Sequence, residues 1–283
     1  MLYKGTITAV QIRLQRQGGY RSRPDGNRGA ALSEAVKAAL AERVGELPDG
    51  YQAWSSKRRL IAYLQLWCKE SGINSGDVDG LWGPQTDFAV DALMETIETG
   101  REPEPWRDEI SVPGNPRGWP KEKDLEAFYG PPGRVNNAPS PPPPPLKNVP
   151  SPWPLKIAWD LRHTRKSFKV HGKVADSLGE ILEKVHAHYG EAEIGKLGLD
   201  LFGGDYNARL KRGGSTMSTH SWGIAIDFDP SNNRLKWNRD RARLARTEYE
   251  DWWRIWESEG WVSLGRARNF DWMHVQAARL REG

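Results

Sequence analysis

The sequence predicts an α+β domain with a small antiparallel sheet, preceded by an all-α module of two three-helix repeats. Three observations support this prediction. A pattern recurs at a spacing of 54 residues near the N-terminus, prolines concentrate in the middle, and short strand-like segments alternate with helices after them. The expected boundaries are 1–48 and 49–100 for the repeats, 101–152 for a proline-rich linker, and 153–283 for the α+β domain.

Composition limits the class of protein. The 283 residues are 37% hydrophobic and 28% charged, which is enough for two or three compact domains. No apolar run reaches the roughly 20 residues that a membrane-spanning helix needs. The first residues also lack the apolar core of a signal peptide, so we expect synthesis in the cytoplasm. The single cysteine, Cys68, excludes an intrachain disulfide and is predicted to be buried.

The first hundred residues contain two copies of one sequence pattern. A shift of 54 positions superimposes Gln11 on Gln65, Asp25-Gly26 on Asp79-Gly80, and Ala35-Val36 on Ala89-Val90. Each copy predicts an amphipathic helix, a glycine turn, an Asp-Gly loop, and a second helix capped by Ser33 or Thr86. We therefore predict a duplication.

The linker is expected to act as a tether. The run Pro141–Pro145 predicts extended polyproline II, because proline fixes φ and has no N–H to donate. Between the prolines, KEKDLEAFYG predicts a short helix that ends at Gly130 and docks on the C-terminal domain.

The C-terminal domain combines two predicted helices with four strand candidates. Apolar spacing predicts one helix from about Val174 to a stop at Gly190 and another over 241–259. The strand candidates are LGLDLFG, WGIAIDFDP, WVSLG and DWMHVQ.

Two histidines and two carboxylates stand in a pattern suited to catalytic zinc. His220 and Asp227 flank an apolar run, and His274 follows Asp271 by three residues. Two imidazoles and one carboxylate leave a fourth position for water, and Asp271 could act as the base. Asp229 is the alternative ligand to Asp227. The remaining histidines are expected to be structural: His163, His171, His186 and His188.

The motif S-x-H-x-x-G-x-A-x-D followed by D-x-x-H resembles the zinc peptidases that include D-alanyl-D-alanine carboxypeptidases and phage L-alanyl-D-glutamate endopeptidases, which share a fold with the hedgehog signalling domain. The resemblance implies one Zn²⁺ held by His220, Asp227 and His274, with Asp271 as general base. It also implies substrate binding by Arg209 or Arg212, and by Ser218. Carboxypeptidase members often have Glu where this chain has Asp271, which favours internal cleavage.

The second N-terminal copy resembles the peptidoglycan-binding domain found beside many cell-wall hydrolases. The resemblance implies wall contacts by Asp79, Trp82 and Thr86. The first copy departs from the pattern, with Asn27-Arg28 in place of Leu81-Trp82 and Leu32 in place of Thr86.

Together these resemblances imply a monomeric phage endolysin that reaches the wall after release from the host cytoplasm. The expected partner is bacterial peptidoglycan rather than nucleic acid, in keeping with a net charge of +4. One alternative is a cellular D-alanyl-D-alanine carboxypeptidase. Another is a non-catalytic wall-binding or virion protein with a vestigial zinc site.

Overall fold

The computed structural model describes residues 2–100, 110–133, 143–211 and 214–280. The chain divides into two compact units, Met1–Pro105 and Trp106–Gly283. Within the described ranges, no helix is both long and apolar enough to cross a membrane.

The N-terminal unit is built from four α-helices. They are α1 (Lys4–Arg16), α2 (Ala30–Ala41), α3 (Ser56–Glu70) and α4 (Pro84–Thr99). Each half of the unit therefore has two α-helices and one three-residue 3-10 helix, Val44–Glu46 in the first half and Tyr51–Ala53 in the second, instead of three full helices. The predicted caps are also wrong, since Gly29 precedes α2 and Gly83 precedes α4, which places Ser33 and Thr86 inside the helices. Cys68 is buried, as expected.

A buried glutamine on the first α-helix of each half holds the Asp-Gly loop that precedes the second α-helix. Gln65 accepts a hydrogen bond from the Gly80 N–H at 2.8 Å and donates to Asp79 Oδ1 at 3.1 Å. Gln11 makes the same two kinds of contact, with the Gly26 N–H at 2.8 Å and Asp25 Oδ1 at 2.8 Å. Side-chain hydrogen bonds thus hold each Asp-Gly loop in a non-helical conformation.

The C-terminal unit is organised around a six-stranded sheet. Its strands are β1 (Leu146–Ile157), β2 (Asp160–His171), β3 (Leu201–Gly204), β4 (Ala225–Phe228), β5 (Val262–Ser263) and β6 (His274–Gln276). Their order is β2-β1-β3-β4-β6-β5. The sheet is mixed rather than antiparallel, because β3 returns beside β1 in parallel after a helical crossover, while the other pairs are antiparallel.

Helices cover the sheet, with two departures from expectation. Helix α6 (Ala175–Leu197) turns at Gly190, whose φ of 67° is non-helical, but continues beyond it. Helix α7 covers only Glu250–Ser258, because Asn233 Oδ1 captures the Leu244 N–H at 2.7 Å and keeps the preceding residues in short turns. A further short helix, α8 (Leu264–Arg268), follows β5. The core contains several fully buried tryptophans, namely Trp153, Trp252, Trp253, Trp256, Trp261 and Trp272.

Part of the expected linker belongs to the folded C-terminal unit. Strand β1 begins at Leu146, and residues 110–133, here called the flanking segment, pack on the same unit. The Trp119 indole donates to the Glu259 carbonyl at 2.9 Å, and the Tyr129 hydroxyl donates to the Ala277 carbonyl at 2.7 Å. The predicted short helix is present as α5 (Leu125–Tyr129) and docks as expected. Pro141 and Pro142 lie outside the described residues.

Candidate metal centre

Two neighbouring strands and a short turn bring the predicted ligands together. Antiparallel pairing sets Asp227 of β4 directly opposite His274 of β6. His220 lies in the 3-10 turn Thr219–Trp222 that leads into β4. Asp227 Oδ1 is 2.9 Å from His274 Nδ1 and 3.2 Å from His220 Nε2, and the two ring nitrogens are 3.3 Å apart. All three ligand atoms lie within 4.8 Å of one another.

The hydrogen bond on the far side of His220 fixes its tautomer. His220 Nδ1 lies 2.7 Å from the backbone carbonyl oxygen of Asp205. A carbonyl oxygen can only accept, so Nδ1 carries the proton and Nε2 presents its lone pair to the cluster. Asp205 is itself held, because its Oδ2 accepts from the Lys169 N–H at 2.7 Å and from Arg165 at 2.9 Å.

His274 is oriented in the same way with its nitrogens exchanged. Its Nε2 lies 3.1 Å from Gln276 Oε1 and 3.3 Å from the Thr219 hydroxyl oxygen. The amide nitrogen of Gln276 donates to the Ala278 carbonyl at 3.2 Å, which turns the amide oxygen towards the histidine. With a cation bound, His274 would therefore carry its proton on Nε2 and direct the lone pair of Nδ1 at the cluster.

The donor set fits a divalent cation. Two imidazole lone pairs and one carboxylate oxygen converge at a buried position, with His220 and His274 both under 10% exposed. Burial would raise the pKa of Asp227, but its contacts with His220 and His274 hold it far below its usual range, so the side chain is an ionised carboxylate that can bind a cation. Lone pairs facing one another at about 3 Å repel unless a cation lies between them. A His-Asp-His set is typical of zinc.

Asp271 lies in a constrained turn immediately before β6. Its φ is +55°, a left-handed conformation that a non-glycine residue adopts at a cost of about 1 kcal/mol or more. Its carbonyl accepts the His274 N–H at 3.0 Å, and the residue is buried. Burial lowers the pKa of His274, but Asp227 and the nearby charge of Asp271 raise it overall. Asp271 is thus close enough to interact electrostatically with a ligand.

The alternative ligand Asp229 is directed away from the cluster. Strand β4 ends at Phe228, and Asp229 has a φ of +44° that breaks the expected alternation. Its carboxylate accepts from the Asn232 amide at 2.8 Å and pairs with Arg243 at 3.4 Å. Asp227 alone of the two carboxylates belongs to the cluster.

Of the predicted substrate-binding residues, the structure describes Arg209 and Ser218 but not Arg212. The backbone of Arg209 is joined to the ligand turn, with its N–H donating to Ser221 Oγ at 2.9 Å and its carbonyl accepting the Ser218 N–H at 3.0 Å. The guanidinium of Arg209 donates to the Leu210 carbonyl at 3.3 Å. Ser218 is buried beside the His220 turn, and Arg212 lies outside the described residues.

The other four histidines have structural contacts. His186 stacks on Trp153, and His188 pairs with Asp251 at 3.2 Å. The remaining two histidines, His163 and His171, contact Asp160 Oδ2 at 2.7 Å and the Tyr129 carbonyl at 3.0 Å.

The three side chains predicted to contact the wall form hydrogen bonds within the N-terminal unit. Asp79 Oδ1 accepts from Gln65 and from the Leu81 N–H, Thr86 is buried against Gln65, and the Trp82 indole donates to Asp87 at 2.6 Å.

Comparison with protein families agrees with the geometry of the metal centre. Residues 212–277 match the family described as D-alanyl-D-alanine carboxypeptidase. The C-terminal unit carries a metallopeptidase domain. The match contains all three ligands and Asp271, and it indicates hydrolysis of a peptide of peptidoglycan. Searches against curated proteins and against solved structures gave no significant match.

Two residues that orient the peptidase ligands were missed by the sequence analysis. Gln276 follows His274 by two positions, so the strand period already places both on one face of β6. That spacing was an available signal. Asp205 contributes through a backbone carbonyl, which no residue pattern reveals.

Proposed function

We propose that this protein is a peptidoglycan hydrolase of the endolysin type that cleaves the stem peptide between L-alanine and D-glutamate. The observation that carries the proposal is the convergence of His220, Asp227 and His274 inside a segment that matches a family of peptidoglycan peptidases. In this proposal the protein is made in the host cytoplasm and reaches the wall after release.

The residues divide the chemistry between them. His220, Asp227 and His274 would hold a zinc ion, which supplies a Lewis acid that activates water and polarises the scissile carbonyl. Asp271 takes the proton of the attacking water and returns it to the leaving amine. Arg209, which is joined by its backbone to the ligand turn, is proposed to contact a substrate carboxylate.

The choice of bond depends on Asp271. An aspartate at this position resembles the phage endopeptidases, whereas carboxypeptidases of this kind often have glutamate there. A D-alanyl-D-alanine carboxypeptidase is the second candidate, and the description of the matched family favours it.

The N-terminal unit is proposed to bind the wall. The matched contacts of Gln11 and Gln65 with their Asp-Gly loops support a duplicated module. A cleft of about 280 Å³ lies between α2 and α3. It is lined by Arg28 and Lys57, by two serine hydroxyls, and by Leu32, Val36 and Leu60 on an apolar floor. Two cations over an apolar floor suit a stem peptide, which combines carboxylates with alanine methyl groups.

Digestion of purified peptidoglycan tests the catalytic proposal. Mass spectrometry of the products should show new N-terminal D-glutamate and release of L-alanine-terminated muramyl fragments. Loss of a single terminal D-alanine would instead establish the carboxypeptidase. Unchanged muropeptides with zinc-loaded protein would contradict both peptidase assignments.

Sedimentation with isolated cell walls tests the binding proposal. The paired change Arg28→Glu and Lys57→Glu should reduce the bound fraction, since it reverses both charges at the cleft. A control pair, Arg21→Glu and Lys37→Glu, makes the same change at exposed sites outside the cleft lining. Equal loss in both pairs would mean that net charge rather than the cleft governs binding.

A further inference from the structure

The side chain that orients His274 is itself oriented from the flanking segment. Gln276 Nε2 donates to Glu122 Oε1 at 3.1 Å, in addition to the Ala278 carbonyl. Gln276 is 1% exposed and the Glu122 side chain is 13% exposed, so water competes weakly for either group. A chain of hydrogen bonds therefore runs from Glu122 through Gln276 to a metal ligand.

The negative charge of Glu122 decides which groups donate and which accept in this series of hydrogen bonds. Burial alone would raise the pKa of Glu122, but the hydrogen bond from Gln276 and the charge of Lys211 lower it overall. An ionised carboxylate only accepts hydrogen bonds, so it selects the NH₂ end of the Gln276 amide. The amide oxygen must then face His274 Nε2, as observed.

The backbone holds Glu122 in register with the end of β6. The Glu122 N–H donates to the Arg279 carbonyl at 2.9 Å, and the Arg279 N–H donates to the Pro120 carbonyl at 2.8 Å. These two bonds tie the flanking segment to the residues that follow Gln276. The position of Glu122 is thus fixed by main-chain hydrogen bonds and not only by the contacts of its side chain.

We propose that Glu122 is a positioning residue for the metal centre, and that it acts through Gln276 to keep the Nδ1 lone pair of His274 directed at Asp227 and His220. The inference rests on metal binding by these three ligands. Glu122 lies 90 positions before the start of the matched family segment at residue 212, in a stretch that the sequence analysis treated as linker.

Glu122→Gln is the first test. The new amide can donate towards Gln276 and allow that side chain to reverse, which would favour the wrong tautomer of His274. We expect zinc affinity, measured by chelator competition on the full chain, to fall about 10- to 100-fold, as for other residues that support metal-bound histidines. Glu193→Gln is the control, since Glu193 pairs with Lys196 on the surface.

A second variant separates positioning from general structural support. Gln276→Glu alone sets two carboxylates against each other and should also weaken zinc binding. Combined with Glu122→Gln, it places a donor at position 122 opposite an acceptor at position 276 and keeps an acceptor facing His274, although the Ala278 carbonyl loses its donor. The double variant should therefore recover much of the affinity that each single variant loses.

Nitrogen-15 NMR of the histidine rings gives a readout that is independent of activity. In the zinc-loaded wild type, His274 should carry its proton on Nε2 in a hydrogen bond to Gln276, and Glu122→Gln should weaken that hydrogen bond and shift the Nε2 resonance. Unchanged zinc affinity in Glu122→Gln would overturn the proposal, and so would a loss without recovery in the double variant. Failure of the wild type to bind zinc would instead overturn the metal site itself.

Discussion

Asp227 and His274 face each other across β4 and β6, with Oδ1 and Nδ1 2.9 Å apart. Because the two residues are paired in the sheet register, their separation is set by main-chain hydrogen bonds rather than by loop conformation. The third ligand, His220, is fixed by the Asp205 carbonyl. The centre is therefore preorganised on a rigid element.

Removal of a ligand should remove the metal. We expect His220→Ala to lose bound zinc and nearly all peptidase activity, since two remaining ligands cannot complete a catalytic site. Elemental analysis of dialysed protein measures the stoichiometry. His163→Ala is a matched control, because His163 is exposed and pairs with the partly exposed carboxylate of Asp160. Full zinc content in His220→Ala would refute the ligand assignment.

Asp271→Asn should separate metal binding from turnover. The amide keeps the size of the side chain and tolerates the left-handed backbone, but it cannot accept a proton at neutral pH. We expect zinc stoichiometry to be retained and turnover to fall about 10²- to 10⁴-fold, the usual contribution of a general base. A variant that keeps wild-type turnover would exclude Asp271 as the base.

Glu259→Gln should destabilise the C-terminal unit in a pH-dependent way. This buried carboxylate pairs with Lys184 and Arg117, each at 2.6 Å. Burial would raise the pKa of Glu259, but these two partners lower it below its ordinary value of 4.5. A lowered pKa in the folded state stabilises the protein above about pH 4.5, and this stabilisation is lost as the pH falls through the lower value.

Urea unfolding at several pH values checks this prediction. At pH 7 the substitution should cost about 2 kcal/mol, which is typical of hydrogen bonds to a charged group. The difference from wild type should shrink as the pH falls below 4.5. Glu250→Gln is the control, because Glu250 pairs with Arg254 on the surface. We expect this substitution to change the free energy of unfolding by a small and nearly constant amount across the pH range. A pH-independent cost in Glu259→Gln would contradict the argument.

Two glycines in the N-terminal unit offer a matched comparison. Both Gly80 and Gly50 have positive φ, 68° and 79°. A Cβ on Gly80 would lie 2.6 Å from the Arg58 carbonyl oxygen, whereas a Cβ on Gly50 would meet nothing within 4 Å. Gly50→Ala should cost about 1 kcal/mol from backbone strain alone, and Gly80→Ala should cost clearly more. Calorimetry of the full chain can compare the two, and equal costs would refute the steric argument.

Much of the site could be predicted because its chemistry is encoded in short, regular spacing. Asp227 and His274 lie on two strands, where strand alternation places their side chains without knowledge of the rest of the fold, and His220 lies in the turn that leads into β4. Glu122 and Asp205 could not be found in this way, because their contribution depends on contacts between segments far apart in sequence.

The fold was predicted correctly in class and less well at boundaries. The amphipathic helices predicted for each copy are present, with buried apolar positions such as Val10 and Leu64 at helical spacing. The start of α7 was misplaced because Asn233 forms a tertiary hydrogen bond that competes with the helix. The flanking segment was taken for linker because its prolines suggested an exposed chain, whereas Trp119 and Tyr129 anchor it to the core.

The docking of the flanking segment has a consequence for modular engineering of this enzyme. A chimera that joined residues 143–283 to a foreign targeting module would discard Trp119, Glu122 and Tyr129, and with them the proposed support of the metal ligands. A junction between residues 100 and 110 keeps these contacts with the peptidase. Recombination between residues 100 and 110 thus keeps the flanking segment with the peptidase, whereas a cut at residue 143 removes it.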